Sequence, residues 1–116
     1  MTREFVRLLE FDKQCKRIGL SEDDIYNIEI KLLIEPACGD MIQGTGGIRK
    51  IRVAINNSGK SGGARVAYVD FASYNKTYFL TVFAKGETDN FNQAEKSELK
   101  LLVSVLKNEL RKKDKR

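Results

Sequence analysis

The period of apolar and polar positions changes several times along the chain, and each change marks an element. Glu4 to Phe11 (Glu-Phe-Val-Arg-Leu-Leu-Glu-Phe) reads as a first strand. Asp12 to Ile18 predicts a short helix closed by Gly19. Ser21 is placed to cap a second helix, with Glu22, Asp23 and Asp24 in its first turn. Ile25, Ile28, Leu32 and Leu33 carry its apolar stripe, and it should stop before Pro36. Gln43-Gly44-Thr45-Gly46-Gly47 is a turn-rich segment. It lacks the GxxxxGK[ST] pattern, which excludes a nucleotide P-loop.

Three strands are expected next, over Ile48–Ile55, Ala64–Phe71 and Thr77–Lys85. The first two are joined by the polar, glycine-rich stretch Asn56 to Gly63, and the last two by Ala72 to Lys76. Both links have hairpin character, so an antiparallel meander is the economical topology. Asn92 with Glu95 has the form of a capping box. Leu99, Leu102, Val103, Leu106 and Leu110 then mark one face of a long C-terminal helix. The expected fold is α+β in one domain over residues 1–116, with 111–116 as a basic tail.

Alternation assigns the strand faces. In the first central strand Lys50, Arg52 and Ala54 oppose Ile51, Val53 and Ile55. In the second, Arg65, Ala67, Val69 and Phe71 oppose Val66, Tyr68 and Asp70. In the third, Phe79, Thr81, Phe83 and Lys85 oppose Tyr78, Leu80, Val82 and Ala84. Lys50, Arg52, Arg65 and Lys85 either converge on one sheet face or sit as solvated charges at strand ends.

Charge sharpens the first of these options. Over 116 residues the net charge is +5, but residues 1–40 carry −3, residues 41–86 carry +6 and residues 87–116 carry +2. The middle segment has one carboxylate, Asp70. A mixed surface would intersperse the signs, and clustered cations are the footprint expected for a nucleic acid. A basic protein with no polyanion partner is the plainer alternative.

The chain contains no histidine. That excludes Ser-His and Cys-His nucleophile pairs, His-ligated zinc and ribonuclease chemistry built on histidine acid and base. Cys15 and Cys38 lack metal-ligand spacing, so neither metal nor cofactor is expected. Met1-Thr2-Arg3-Glu4 places charge where an export signal would begin, and no run approaches the roughly 20 apolar residues of a membrane span. The expectation is a cytoplasmic protein with no membrane partner.

Three segments taken together resemble the RelE superfamily of bacterial toxin–antitoxin toxins, in its HigB-like branch. They are Gly39-Asp40-Met41-Ile42-Gln43-Gly44-Thr45-Gly46-Gly47-Ile48-Arg49-Lys50-Ile51-Arg52-Val53, Gly62-Gly63-Ala64-Arg65-Val66-Ala67-Tyr68, and Phe79-Leu80-Thr81-Val82-Phe83-Ala84-Lys85-Gly86-Glu87. The resemblance implies a RelE-like domain in which an antiparallel central sheet carries two N-terminal helices and a C-terminal helix. It also implies a metal-independent mRNA interferase that cuts messages in the 30S A site of the ribosome. There the 2′-OH of the RNA attacks the adjacent phosphate, and clustered cations stabilise the phosphorane. By motif position, Lys50, Arg52, Arg65 and Lys85 are the implied catalytic residues. Arg49, Lys60, Lys76, Phe91, Lys112 and Lys113 are candidate contacts to nucleic acid. The implied partners are a helix-turn-helix antitoxin, the ribosome and mRNA, with operator DNA reached only through the antitoxin.

Two positions depart from the family pattern. Gly86 stands where many members carry arginine, and Phe91-Asn92 where many have tyrosine. Glu87, Tyr68 and Tyr78 are possible proton carriers instead, although either tyrosine also reads as a core residue. A non-catalytic RNA- or ribosome-binding module of the same fold is therefore the alternative. A DNA-binding protein is disfavoured by the lack of a recognisable recognition helix.

Overall fold

The computed structural model describes residues 2–55, 63–84, 87 and 91–114. In chain order the elements are β1 (Glu4–Arg7), α1 (Leu9–Ile18), α2 (Glu22–Ile34), β2 (Asp40–Met41), β3 (Arg49–Val53), β4 (Ala64–Phe71), a 3₁₀ turn (Ala72–Tyr74), β5 (Lys76–Ala84) and α3 (Gln93–Asp114). The strands form one mixed sheet in the order β1-β5-β4-β3-β2. Its centre, β3-β4-β5, is the expected antiparallel meander, and β1 adds a parallel edge alongside β5.

The helices divide the sheet into two packed faces. α1 and α2 bury Phe11, Cys15, Ile25, Ile28 and Leu32 against Ile51, Val66, Tyr68, Phe79 and Val82. α3 covers the opposite face, where Val103 and Leu110 join Ile48, Ala67, Val69 and Leu80. Burial keeps the Cys15 thiol neutral by pushing its pKa up to about 11.

Local chemistry sets the helix starts. Ser21 Oγ accepts from Asp24 N–H, and the Asp24 carboxylate accepts from Ser21 N–H, closing a capping box on α2. Asn92 and Glu95 make the same reciprocal pair at the head of α3. α1 begins at Leu9, three residues before the expected Asp12, so the first strand ends at Arg7 and not at Phe11. The early turn folds Phe11 back onto the sheet, where its ring lies 5.0 Å from that of Phe79 and is fully buried. An extended Phe11 would forgo that burial.

The α2–β2 connection is anchored by a buried phenol. Tyr68 Oη accepts from Gly39 N–H at 3.0 Å and donates to Pro36 C=O at 2.8 Å. A Cβ on Gly39 would fall 2.8 Å from the Tyr68 ring and hydroxyl and 2.9 Å from the Lys50 carbonyl. Only glycine fits between them. Gly39→Ala is expected to cost about 1–3 kcal/mol, the scale of overpacking a closed site. Urea unfolding measures this, and an unchanged midpoint would show that the connection yields freely.

The glycine-rich segment is a structural turn. Thr45 Oγ1 donates to Ile42 C=O and accepts from Ile48 N–H, while Ile42 N–H donates to Ile48 C=O. Thr45 is completely buried, and α3 passes over the turn with Lys100 against Gly46.

Candidate nucleic-acid interface

Register brings the central cations together. Arg52 on β3 faces Arg65 on β4, and Arg65 in turn faces Phe83 on β5. One step inward, Lys50 faces Ala67, which faces Thr81. Directly opposed residues of antiparallel strands share a face with Cβ atoms about 4.5–5.5 Å apart. Lys50, Arg52 and Arg65 therefore form a compact cationic row on the sheet face that α3 covers farther along. Gly63 holds the two strands close at this end: its φ is +75°, in the left-handed region, and a Cβ there would lie 2.8 Å from Val53 C=O.

Like charges placed opposite each other in a sheet are destabilising. The one carboxylate of the basic middle segment does not relieve them. Asp70 lies five positions along β4 from Arg65, roughly 17 Å away. There it pairs with Arg3 and accepts from Thr77 Oγ1 at 2.7 Å. A carboxylate does reach the row from the edge strand: Asp40 on β2 is the cross-strand neighbour of Lys50 and is exposed. Sequence reasoning missed Asp40 because a two-residue strand leaves no periodic signal.

The other expected contacts separate from the row. Arg49 shares its face with Ile51 and Val53, on the α1–α2 side, and donates from Nη1 to Gly39 C=O at 2.8 Å. Lys76 begins β5, seven residues from Phe83, and its Nζ lies 3.3 Å from Glu4. Lys112 and Lys113 are exposed at the end of α3, roughly 30 Å along the helix from its start. Phe91 does approach the row through Phe83, its ring 5.7 Å from the Phe83 ring. Lys60 and Lys85 lie outside the described residues, as do most of the Asn56–Gly63 link and Gly86.

One face assignment on β5 is corrected. Ala67 pairs with Thr81 and Tyr68 with Phe79, so Leu80 is an extra residue in the ladder. Such a bulge resets alternation. Phe79 and Val82 pack on the α1–α2 side, whereas Leu80 and Phe83 belong to the α3 side.

The three candidate proton carriers serve other purposes. Burial raises the Tyr68 pKa to about 12, and its hydroxyl is held by Gly39 and Pro36. Tyr78 is buried edge-on against Phe71. Glu87 accepts from Arg17 at 2.8 Å and from Ala84 N–H at 2.8 Å. These bonds, the Arg17 one first, hold its carboxyl below the usual range, which favours the carboxylate over its protonated form. Among the described residues, no group of three or more acidic, cysteine or histidine side chains is gathered to hold a metal ion.

A family model described as the RelE toxin of the RelE/RelB toxin–antitoxin system matches residues 10–114. The chain belongs to the RelE toxin family. Membership makes it a toxin of a toxin–antitoxin pair, with an antitoxin as its partner. The match runs through nearly all of α1, the cationic row and the whole of α3, and the α+β architecture fits a RelE-like toxin. Among the described residues, no helix of this RelE-family chain is long and apolar enough to cross a membrane.

Proposed function

We propose that this RelE-family toxin is a ribosome-dependent mRNA interferase of the HigB-like branch, acting in the cytoplasm and restrained by a helix-turn-helix antitoxin. The observation that carries the reading is the direct opposition of Arg52 and Arg65, with Lys50 on the adjoining row. Two opposed guanidinium groups with a lysine beside them can present several donors to one phosphodiester.

In the proposed reaction the 2′-oxygen attacks the neighbouring phosphorus and the bond to the 5′-oxygen breaks. The products are a 2′,3′-cyclic phosphate and a 5′-hydroxyl. Arg52 and Arg65 hold the non-bridging oxygens as charge builds on the phosphorane. Asp40 receives the proton of the attacking hydroxyl, and the Lys50 ammonium supplies one to the departing oxygen. This assignment replaces Tyr68, Tyr78 and Glu87, all engaged elsewhere. Asp40→Asn is expected to slow single-turnover cleavage by roughly a hundredfold, within the usual range for a general base. A full-rate variant would remove Asp40 from the reaction.

A cationic row on a sheet face works best on a substrate that is positioned for it, and the ribosome supplies that positioning. RNA ends mapped after brief induction should therefore appear only when translation is running. Purified protein should cut messages on translating ribosomes and spare naked RNA. Equal cutting of free RNA would overturn ribosome dependence. A second reading, a non-catalytic ribosome-binding module, is favoured by the structural use of all three candidate proton carriers. It predicts ribosome binding and growth arrest with no new RNA ends.

A further inference from the structure

We infer that Tyr68 and Arg49 are positioning residues for Asp40, holding it opposite Lys50 from the reverse face of the sheet. The inference rests on the reading of Asp40 as the group that takes the proton of the attacking hydroxyl.

Asp40 has little local support of its own. It lies on β2, the edge strand of the sheet, which is two residues long against the usual strand length of about 5–6. Its neighbour in the ladder is Lys50, so its side chain shares the face of the cationic row. It is exposed, and apolar burial does little to fix it.

Gly39, one residue earlier, supplies the fixed point. Alternation turns it to the face that α1 and α2 cover, where Tyr68 and Arg49 are direct cross-strand neighbours. Both polar groups of its backbone are held from there. The N–H donates to Tyr68 Oη at 3.0 Å, and the C=O accepts from Arg49 Nη1 at 2.8 Å. That C=O belongs to the same planar peptide unit as the Asp40 N–H, so the Arg49 bond sets the plane from which Asp40 departs. The Tyr68 hydroxyl in turn donates to Pro36 C=O at 2.8 Å and spans the connection from α2 to β2. It can donate and accept at once because burial keeps it protonated, with a pKa pushed up to about 12.

Space reinforces these bonds. A Cβ on Gly39 would meet Tyr68 on one side and Lys50 C=O on the other, so the segment is seated against the backbone of the residue that Asp40 opposes. A phenylalanine ring would fill the space of Tyr68, and a buried hydroxyl costs free energy unless it is bonded. Both bonds of this hydroxyl go to the segment just before Asp40. Arg49 serves the row through the backbone and not through a phosphate.

The test is a pair of double-mutant cycles, read by single-turnover cleavage of message on ribosomes. Tyr68→Phe and Arg49→Met are each expected to slow cleavage roughly tenfold or more in the otherwise native chain, since a small misplacement of a reacting group is enough. In an Asp40→Asn chain neither should slow it further, because no base is left to position. Ile28→Val, which trims the same buried cluster, should leave the rate unchanged in both backgrounds. Arg49 is half-buried, and Arg49→Met carries the test if Tyr68→Phe fails to fold. Equal slowing by either variant in the native and the Asp40→Asn chains would make the ties merely structural and overturn the inference. So would native rates in both variants beside a slow Asp40→Asn chain, an outcome that leaves Asp40 as the base. A slope of log ribosome affinity against log salt lower by about one in Arg49→Met would make Arg49 a phosphate contact and overturn its assignment. A full-rate Asp40→Asn chain would remove the base and the inference together.

Discussion

Arg65→Ala is expected to abolish growth arrest and to slow cleavage on ribosomes by roughly a hundred- to a thousandfold, the loss seen when one oriented stabilising donor is removed from a transition state. Arg65 is half-buried and held between Arg52 on one strand and Phe83 on the other. A guanidinium fixed in this way can give two parallel hydrogen bonds to a phosphate. Lysine offers a point charge without the fork, so Arg65→Lys should recover only part of the rate. The fold should survive either change. Arg65 belongs to neither buried apolar cluster, so the alanine variant should still unfold cooperatively in urea. Antitoxin binding, measured by calorimetry, should confirm that the domain is intact. An alanine variant that still cleaves, or that loses its fold, would show that Arg65 does not serve the phosphate.

Local signals in the sequence were sufficient wherever structure is decided locally. The expected strand over Ala64–Phe71 is β4, and Ser21–Asp24 and Asn92–Glu95 cap the helices they were expected to open. Alternation correctly placed Lys50 with Arg52, and Arg65 with Ala67, because β3 and the first half of β4 are regular. The failures have nonlocal causes. Phe11 reads as the end of a strand until the Phe79 ring is available for it to stack on. The bulge at Leu80 reverses the expected face of Phe79 relative to Phe83, and no turn residue announces it. The same holds for the polar side chains. Arg49 adjoins Lys50 in sequence but belongs to the other face, and Glu87 is occupied by an arginine 70 positions away. Residue type pointed to a cationic site, but only register could decide which cations share a face.

That distinction predicts two separable kinetic defects. Lys112 and Lys113 sit roughly 30 Å along α3 from its start, the end that approaches the row through Phe91 and Phe83, and that is several Debye lengths at physiological salt. At that range they can attract ribosomal or messenger phosphates but cannot stabilise a phosphorane bound between β3 and β4. Neutralising both should weaken ribosome binding and lower the slope of log affinity against log salt by roughly one for each cation removed. Once bound, the variant should cleave at nearly the wild-type rate. Lys50→Ala and Arg52→Ala should behave in the opposite way. Ribosome association, dominated by the remaining surface cations, should change little, whereas single-turnover cleavage should slow by about a hundredfold or more. Stopped-flow binding across a salt series, paired with single-turnover cleavage of the same variants, separates the two effects. If tail and strand variants lose affinity alike while bound cleavage stays constant, the row is a docking patch. The catalytic reading would then give way to the ribosome-binding module.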